Sequence, residues 1–167
     1  ILIVIGIVMT VIMQASSAAM AATLTALFSG AIDYEQAIYL VIGQNIGTTA
    51  TALIASMGAS VAAKRTSMTH VLFNVLTAIL VVICIAPMLT LTHYVTELIN
   101  GSFDETLAIA VFHTLFSVLG ACIFVPLIKP FAAFIMRIVP EKENRLTKHL
   151  DDSITNMPAI ALQVGFD

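Results

Sequence analysis

Four long uncharged stretches dominate the pattern of hydrophobic and polar positions along the chain. Asp, Glu, Lys and Arg are all absent from residues 1–32, 36–63, 66–96 and 106–128. Each stretch exceeds the roughly 20 residues that a helix needs to cross the hydrocarbon core of a bilayer. The pattern therefore predicts an all-α integral membrane protein, with ordinary transmembrane helices over 67–90 and 105–128. The apolar stretch 130–139, which carries Arg137, is predicted as an interfacial helix.

The first uncharged stretch is interrupted near its middle. Large apolar residues fill positions 1–13, and the small polar run Gln14-Ala15-Ser16-Ser17 follows them. One interpretation is a single long span with a central break. The other is a re-entrant hairpin over 1–29, with arms of about 13 residues that reach only half-way across a bilayer. The length of the arms favours the hairpin.

The second stretch is interrupted in a similar way, by the run from Gly43 to Thr49. A glycine inside a helix disfavours it by about 1 kcal/mol relative to alanine. The two glycines, Gly43 and Gly47, therefore predict a broken transmembrane helix over 34–62. The alternative interpretation is close helix packing, because small residues spaced four apart allow two membrane helices to approach each other.

Two breaks at similar depth would have chemical consequences. Half-helices that begin after Ser17 and after Gly47 would both direct free N–H groups and positive dipole ends toward the membrane midplane. Such ends can bind an anion without Lys or Arg. The predicted anion ligands are Ser16, Ser17, Thr48 and Thr49. The predicted sodium ligands, which offer side-chain oxygen atoms, are Gln14, Gln44, Asn45 and Thr51. His113, a polar residue within an apolar stretch, is expected to form an interhelical hydrogen bond.

The distribution of charge predicts the topology. Lys64 and Arg65 are the only basic residues before Lys129, and the remaining basic residues lie near the end of the chain. The connections 30–35 and 91–105 carry acidic residues and no Lys or Arg. The positive-inside rule places the basic segments in the cytoplasm and the acidic ones outside, in a multi-pass protein of the inner (plasma) membrane.

The two interrupted motifs resemble those of a known family. Gln14-Ala15-Ser16-Ser17 resembles the QSSS signature of the type II sodium/phosphate cotransporter family, with Ala15 in place of a serine. The run from Gly43 to Thr51 is similar to its companion motif, G-x-N-I-G-T-(S/T)-x-T. The resemblance implies sodium-coupled transport of inorganic phosphate, with Na⁺ as the co-transported ion. It also implies two inverted repeats, of which this chain holds one and a missing first repeat of the same polypeptide would supply the other.

The resemblance further implies that residues 140–167 are a cytoplasmic tail leading to a domain like the phosphate-regulatory protein PhoU. Three alternatives stay open: a symporter of another oxyanion or a dicarboxylate, a phosphate exporter, and a non-transporting module for phosphate signalling. An enzyme is not expected, because the apolar stretches contain no acid–base pair, nucleophile–base arrangement or metal cluster. The expected surroundings are a lipid bilayer, with no nucleic acid.

Overall fold

The computed structural model describes residues 1–141, and within that range the chain forms seven helices and no strand. The helices are α1 (Leu2–Met13), α2 (Ser16–Phe28), α3 (Tyr34–Ser56), α4 (Val61–Ile83), α5 (Ile85–Asn100), α6 (Glu105–Phe124) and α7 (Ile128–Ile138). Three are long and apolar enough to cross a membrane: Tyr34–Ala55, Val61–Ile83 and Glu105–Phe124. The helices α1 and α2 are apolar but shorter. Over the described residues, the prediction of an all-α chain is confirmed, and three of its helices are candidate membrane spans.

The predicted interruption of the first stretch is present between α1 and α2. Gln14 adopts a left-handed backbone with φ 52°, and Ala15 is extended, so the chain turns sharply at these two residues. Thr10 and Gly6 of α1 are buried against the middle of α3. Helix α1 lies parallel to α3, and α2 lies antiparallel to it. The two short helices therefore fold back on each other.

The prediction of a break in the second stretch is wrong. Helix α3 continues from Tyr34 to Ser56 without interruption, and the turn that ends it lies at residues 57–60 rather than beyond 62. Its two glycines lie against α1. A Cβ atom at Gly43 would collide with the backbone of α1, and one at Gly47 would lie 2.8 Å from the carbonyl oxygen of Ile7. Close packing against α1 therefore explains these glycines, as in the alternative interpretation.

The stretch predicted as one span over 67–90 belongs to two helices. Helix α4 begins at Val61, where Ser60 caps it, and ends at Ile83; α5 then starts at Ile85. Pro87 accounts for the division, because its nitrogen cannot donate to the carbonyl of residue 83, four positions earlier. Helix α6 agrees closely with the prediction over 105–128, and α7 corresponds to the helix predicted over 130–139.

Helix α3 lies at the centre of the packing. The largest fully buried side chains come from α3 and α6, among them Ile38, Ile42, Phe112 and Phe116. The outward faces of the other helices expose large apolar side chains. Such surfaces are expected where helices contact lipid or further protein rather than water.

The basic connection follows the end of α3, whereas the acidic connection 30–35 leads into its start. Arg65 donates from Nε to the carbonyl of Val139 at 3.0 Å, and its guanidinium lies 3.6 Å from the Glu141 carboxylate. Near the two acidic connections, Tyr34 packs edge-on against Phe103 with ring centroids 5.5 Å apart. The start of α4 is thus next to the end of α7. Most of the tail predicted over 140–167 lies outside the described residues.

Candidate functional site

A cavity of about 220 Å³ lies where α2, α3 and α6 meet. Its lining residues are Ser16, Ser17, Met20, Val41, Gln44, Asn45, Thr48 and His113. Within residues 1–141, none of the residues that line it is an Asp, Glu, Lys or Arg. Asn45 is 11 residues from Tyr34 and 11 from Ser56, the two ends of α3. The cavity is therefore at the middle of a helix long enough to cross a membrane.

The beginning of α2 supplies hydrogen-bond donors to this cavity. Ser16 and Ser17 are its first two residues and are exposed. Helix α2 starts abruptly after the extended Ala15, and the Ala19 N–H is the one that bonds back to the Ala15 carbonyl, at 3.1 Å. The N–H groups before Ala19 have no carbonyl of their own helix to bond, and the helix dipole makes this end positive. The arrangement favours an anion.

Gln44 lines the same cavity and is anchored on α2. Its side-chain Nε2 donates to the carbonyl of Ala19 at 3.1 Å and to Oγ1 of Thr23 at 2.7 Å. The residue is only 3% exposed, and its Oε1 is buried with no hydrogen-bond partner in the part of the chain that the structure describes. A buried polar atom without a partner costs about 1–3 kcal/mol.

Asn45 and His113 join α3 to α6 at the cavity wall. Asn45 donates from Nδ2 to the carbonyl of Val41 at 3.1 Å, which leaves its Oδ1 to accept a hydrogen bond from Nε2 of His113 at 3.0 Å. Because Oδ1 can only accept, the hydrogen lies on Nε2 of the imidazole. Thr48 donates to the carbonyl of Asn45 at 2.7 Å, so its hydroxyl oxygen remains free to accept.

The structure brings together five of the residues predicted for the site. Ser16, Ser17 and Thr48, predicted for the anion, and Gln44 and Asn45, predicted for sodium, all line the cavity.

The other predicted residues lie elsewhere. Thr49 is buried and donates to the carbonyl of Ile46, and Thr51 donates to that of Thr48. Gln14 is exposed in the turn between α1 and α2. None of these three is among the residues that line the cavity. The second half-helix N-terminus that was expected after Gly47 does not exist, because α3 is continuous there.

His113 is a lining residue that was not among the predicted ligands. Its interhelical hydrogen bond was expected from the sequence, since ionisable residues within membrane segments usually have a partner. Its place in the wall could not be predicted, because Asn45 lies 68 positions away along the chain.

These features define a helical membrane protein with a cavity that no Asp, Glu, Lys or Arg lines, at the centre of a span-length helix. The chain belongs to the Na⁺/Pi-cotransporter family, whose model matches residues 2–101. The resemblance of the two motifs to sodium/phosphate cotransporters is thereby confirmed.

Several curated bacterial proteins are similar to this chain. It is 39% identical over 139 residues to the uncharacterized protein YqeW of Bacillus subtilis (strain 168), a match that covers 83% of the chain and 43% of the relative. It is 29% identical over 163 residues to the "Putative inorganic phosphate export protein YjbB" of Escherichia coli (strain K12), covering 95% of the chain and 29% of that relative. The chain thus spans less than half the length of these relatives. No solved structure matches it.

Proposed function

We propose that this chain forms half of the substrate site of a secondary transporter for inorganic phosphate. The observation that carries the proposal is the uncharged cavity at mid-helix, with the donor-rich start of α2 on one side. Its volume of about 220 Å³ corresponds to roughly seven water molecules at about 30 Å³ each. A tetrahedral oxyanion with part of its hydration shell fits such a space.

An uncharged site suits transport better than tight storage. A buried Lys or Arg would hold an anion firmly, whereas hydroxyl groups and helix dipoles bind it more weakly and allow release. A co-bound Na⁺ would then supply the missing positive charge, so that each ion makes the entry of the other more favourable. This reciprocity is the basis of the proposed sodium coupling, and the family description as a Na⁺/Pi-cotransporter supports it.

The sodium ligands need revision in this proposal. Of the four residues predicted from the sequence, Gln14 and Thr51 lie away from the cavity, and Asn45 Oδ1 already accepts from His113. In this proposal the four side chains are not assigned to a single cation site. We propose that Na⁺ is coordinated largely by oxygen atoms that the rest of the polypeptide contributes.

The rest of the site is assigned in this proposal to a part of the polypeptide outside this chain. We propose that a second repeat closes the cavity, that α1 and α2 form a re-entrant hairpin, and that the basic connection faces the cytoplasm of a multi-pass plasma-membrane protein. The shortness of α1 and α2 and the separation of Lys64 and Arg65 from the acidic connections support this arrangement. The name of the YjbB relatives favours export as the direction of transport.

The proposed anion site is tested with the full-length protein that contains this chain, reconstituted in liposomes and supplied with labelled phosphate. The double variant Ser16→Ala, Ser17→Ala should weaken phosphate binding at least about tenfold, because a hydrogen bond to a charged group contributes about 1.5–3 kcal/mol. The matched control is Ser29→Ala, since Ser29 is an exposed serine that follows the opposite end of α2. Wild-type affinity in the double variant would disprove the proposed site.

Sodium coupling is tested separately, with Na⁺ replaced by K⁺ or choline on both sides of the membrane. Phosphate flux should fall strongly without Na⁺, and the apparent affinity for Na⁺ should rise with phosphate concentration. Equal flux in all three cations would refute the coupling but leave the anion site untouched.

A further inference from the structure

The two halves of α3 differ in how completely they are enclosed. In the half that begins at Tyr34, five side chains between Ala37 and Ile42 are at most 6% exposed. In the last turns of the helix, by contrast, Leu53 and Ile54 are 44% and 58% exposed. The cavity at mid-helix lies between these halves, so its two directions along α3 are not equivalent.

The hydrophobic core closes the cavity on the side of the start of α3. Leu27, Ile38 and Ile109 belong to one buried cluster and are 7%, 0% and 0% exposed. Helix α2 runs antiparallel to α3, and α6 begins next to the start of α3, so all three side chains lie on that side of the cavity. An ion that crossed this packed apolar cluster would lose its hydration at a cost of several kcal/mol. Phosphate therefore cannot pass in this direction without a rearrangement.

A second cavity, of about 460 Å³, lies at the other end of α3, against the first turns of α4. Ala52, Ala55 and Ser56 line it from α3, and Thr66 and His70 are among the residues that line it from α4. Within residues 1–141, no Asp or Glu lines this cavity, so no carboxylate in its wall would repel an anion.

The two cavities lie on the same face of α3. At 3.6 residues per turn, Asn45 and Thr48 of the first cavity and Ala52 and Ala55 of the second fall within an arc of about 80°. Thr48 and Ala52 are only about 6 Å apart along the helix axis. Lys64, near the start of α4, is exposed at this end and attracts anions toward it.

We infer that phosphate enters the site from the end of α3 next to the basic connection, through the second cavity, and that this structure is the conformation closed on the opposite side. This entry route depends on the proposed phosphate site and on the proposed cytoplasmic position of the basic connection. It adds the side of access and the helices, α3 and α4, between which the anion moves. A transporter needs such one-sided access, since a passage open on both sides at once would be a channel.

The experiment labels single cysteines in the full-length protein, in membrane vesicles of both orientations, with a charged methanethiosulfonate that does not cross membranes. Cys84 and Cys122, which are exposed, and any cysteine of the remaining polypeptide are first replaced by serine. The reagent reacts with the thiolate, which forms in water but not in lipid or in a packed core. Labelling therefore reports which positions line a water-filled route and from which side of the membrane.

Ala52→Cys and Ala55→Cys should be labelled from the cytoplasmic side. Ile54→Cys is the matched control, because residue 54 lies in the same turn but is not among the residues that line the cavity. Ile38→Cys probes the closed side. Both should react at least about tenfold more slowly, since a thiol in lipid or in the core is reached only through local opening. Labelled Ala52→Cys should also lose phosphate flux and regain it when a reductant removes the label.

Labelling of Ala52→Cys and Ala55→Cys from the outer side, or at the rate of Ile54→Cys, overturns the entry route. Labelling of Ile38→Cys as fast as Ala52→Cys contradicts the closed side. Full flux through labelled Ala52→Cys would reveal a cleft that phosphate does not use, which also overturns the inference. If the unlabelled protein neither binds nor transports phosphate, the proposed function fails, whereas the labelling still decides which side is open. Should Ala52→Cys not fold, Ala55→Cys serves for the same flux measurement.

Discussion

Replacement of Gly43 by alanine distinguishes a glycine that packs from a glycine that breaks a helix. In a helix interior, Gly→Ala on its own favours folding by about 1 kcal/mol, because alanine has less backbone freedom to lose. At Gly43, however, the new Cβ would meet the carbonyl carbon of Ile3 at 2.8 Å and the nitrogen of Ile7 at 3.0 Å. Both are backbone atoms, which cannot rotate away, so α1 and α3 would have to separate.

Overpacking typically costs about 1–3 kcal/mol, and a collision with backbone belongs at the upper end of that range. Subtracting the gain of about 1 kcal/mol in helix propensity leaves a net destabilisation of about 2 kcal/mol for Gly43→Ala. Gly120→Ala is the matched comparison. Its Cβ would meet the side-chain ends of Phe73 at 2.7 Å and Thr77 at 2.8 Å, which can move, so we expect a smaller loss.

The assay heats the purified full-length protein in detergent and measures the fraction that remains monodisperse by size-exclusion chromatography. The midpoint of the heating curve should be lowest for Gly43→Ala, intermediate for Gly120→Ala and highest for the wild type. A Gly43→Ala protein that is as stable as the wild type, or more stable, would refute the close approach of α1 and α3. Such a result would also favour the interpretation in which Gly43 interrupts the helix.

Two further variants can be measured by the same heating assay. His113→Ala should destabilise the protein by about 1–2 kcal/mol, because it leaves Oδ1 of Asn45 without its 3.0 Å donor; His113→Gln, which can still donate, should lose less. An Ala variant with wild-type stability would contradict this account. Asp33→Ala should cost about 1 kcal/mol, since it removes the capping box that Asp33 forms with Gln36 at the start of α3. If the cap has no such role, the midpoint will not change.

Part of the site could be predicted because it depends on local properties of the chain. The turn at Gln14 follows from a small polar run after an apolar helix too short to span a bilayer, and the next helix must then begin near Ser16. The exposed donors at the start of α2 are a direct consequence. Gln44 and Asn45, which were predicted as sodium ligands, both line the cavity, although the helix that carries them was expected to break.

The rest of the site could not be predicted because it depends on which residues meet across the fold. A glycine favours a break when nothing lies beside it and favours a continuous helix when another backbone does. The presence of α1 against Gly43 and Gly47 decides this, and no pattern within residues 34–62 contains that information. Likewise, three predicted threonines share one motif, but only Thr48 faces the cavity, because α3 turns the other two away.

The sequence by itself determined the class of the protein, the position of its first interruption and the segregation of its charges. These follow from hydropathy, segment length and the positions of Lys and Arg, which need no knowledge of neighbours. The tertiary structure alone decided that α3 is continuous, that His113 meets Asn45, and that Gln44 is hydrogen-bonded to Ala19 and Thr23 of α2. The physical reason is that packing contacts and hydrogen-bond partners are set by distances between residues far apart in the chain.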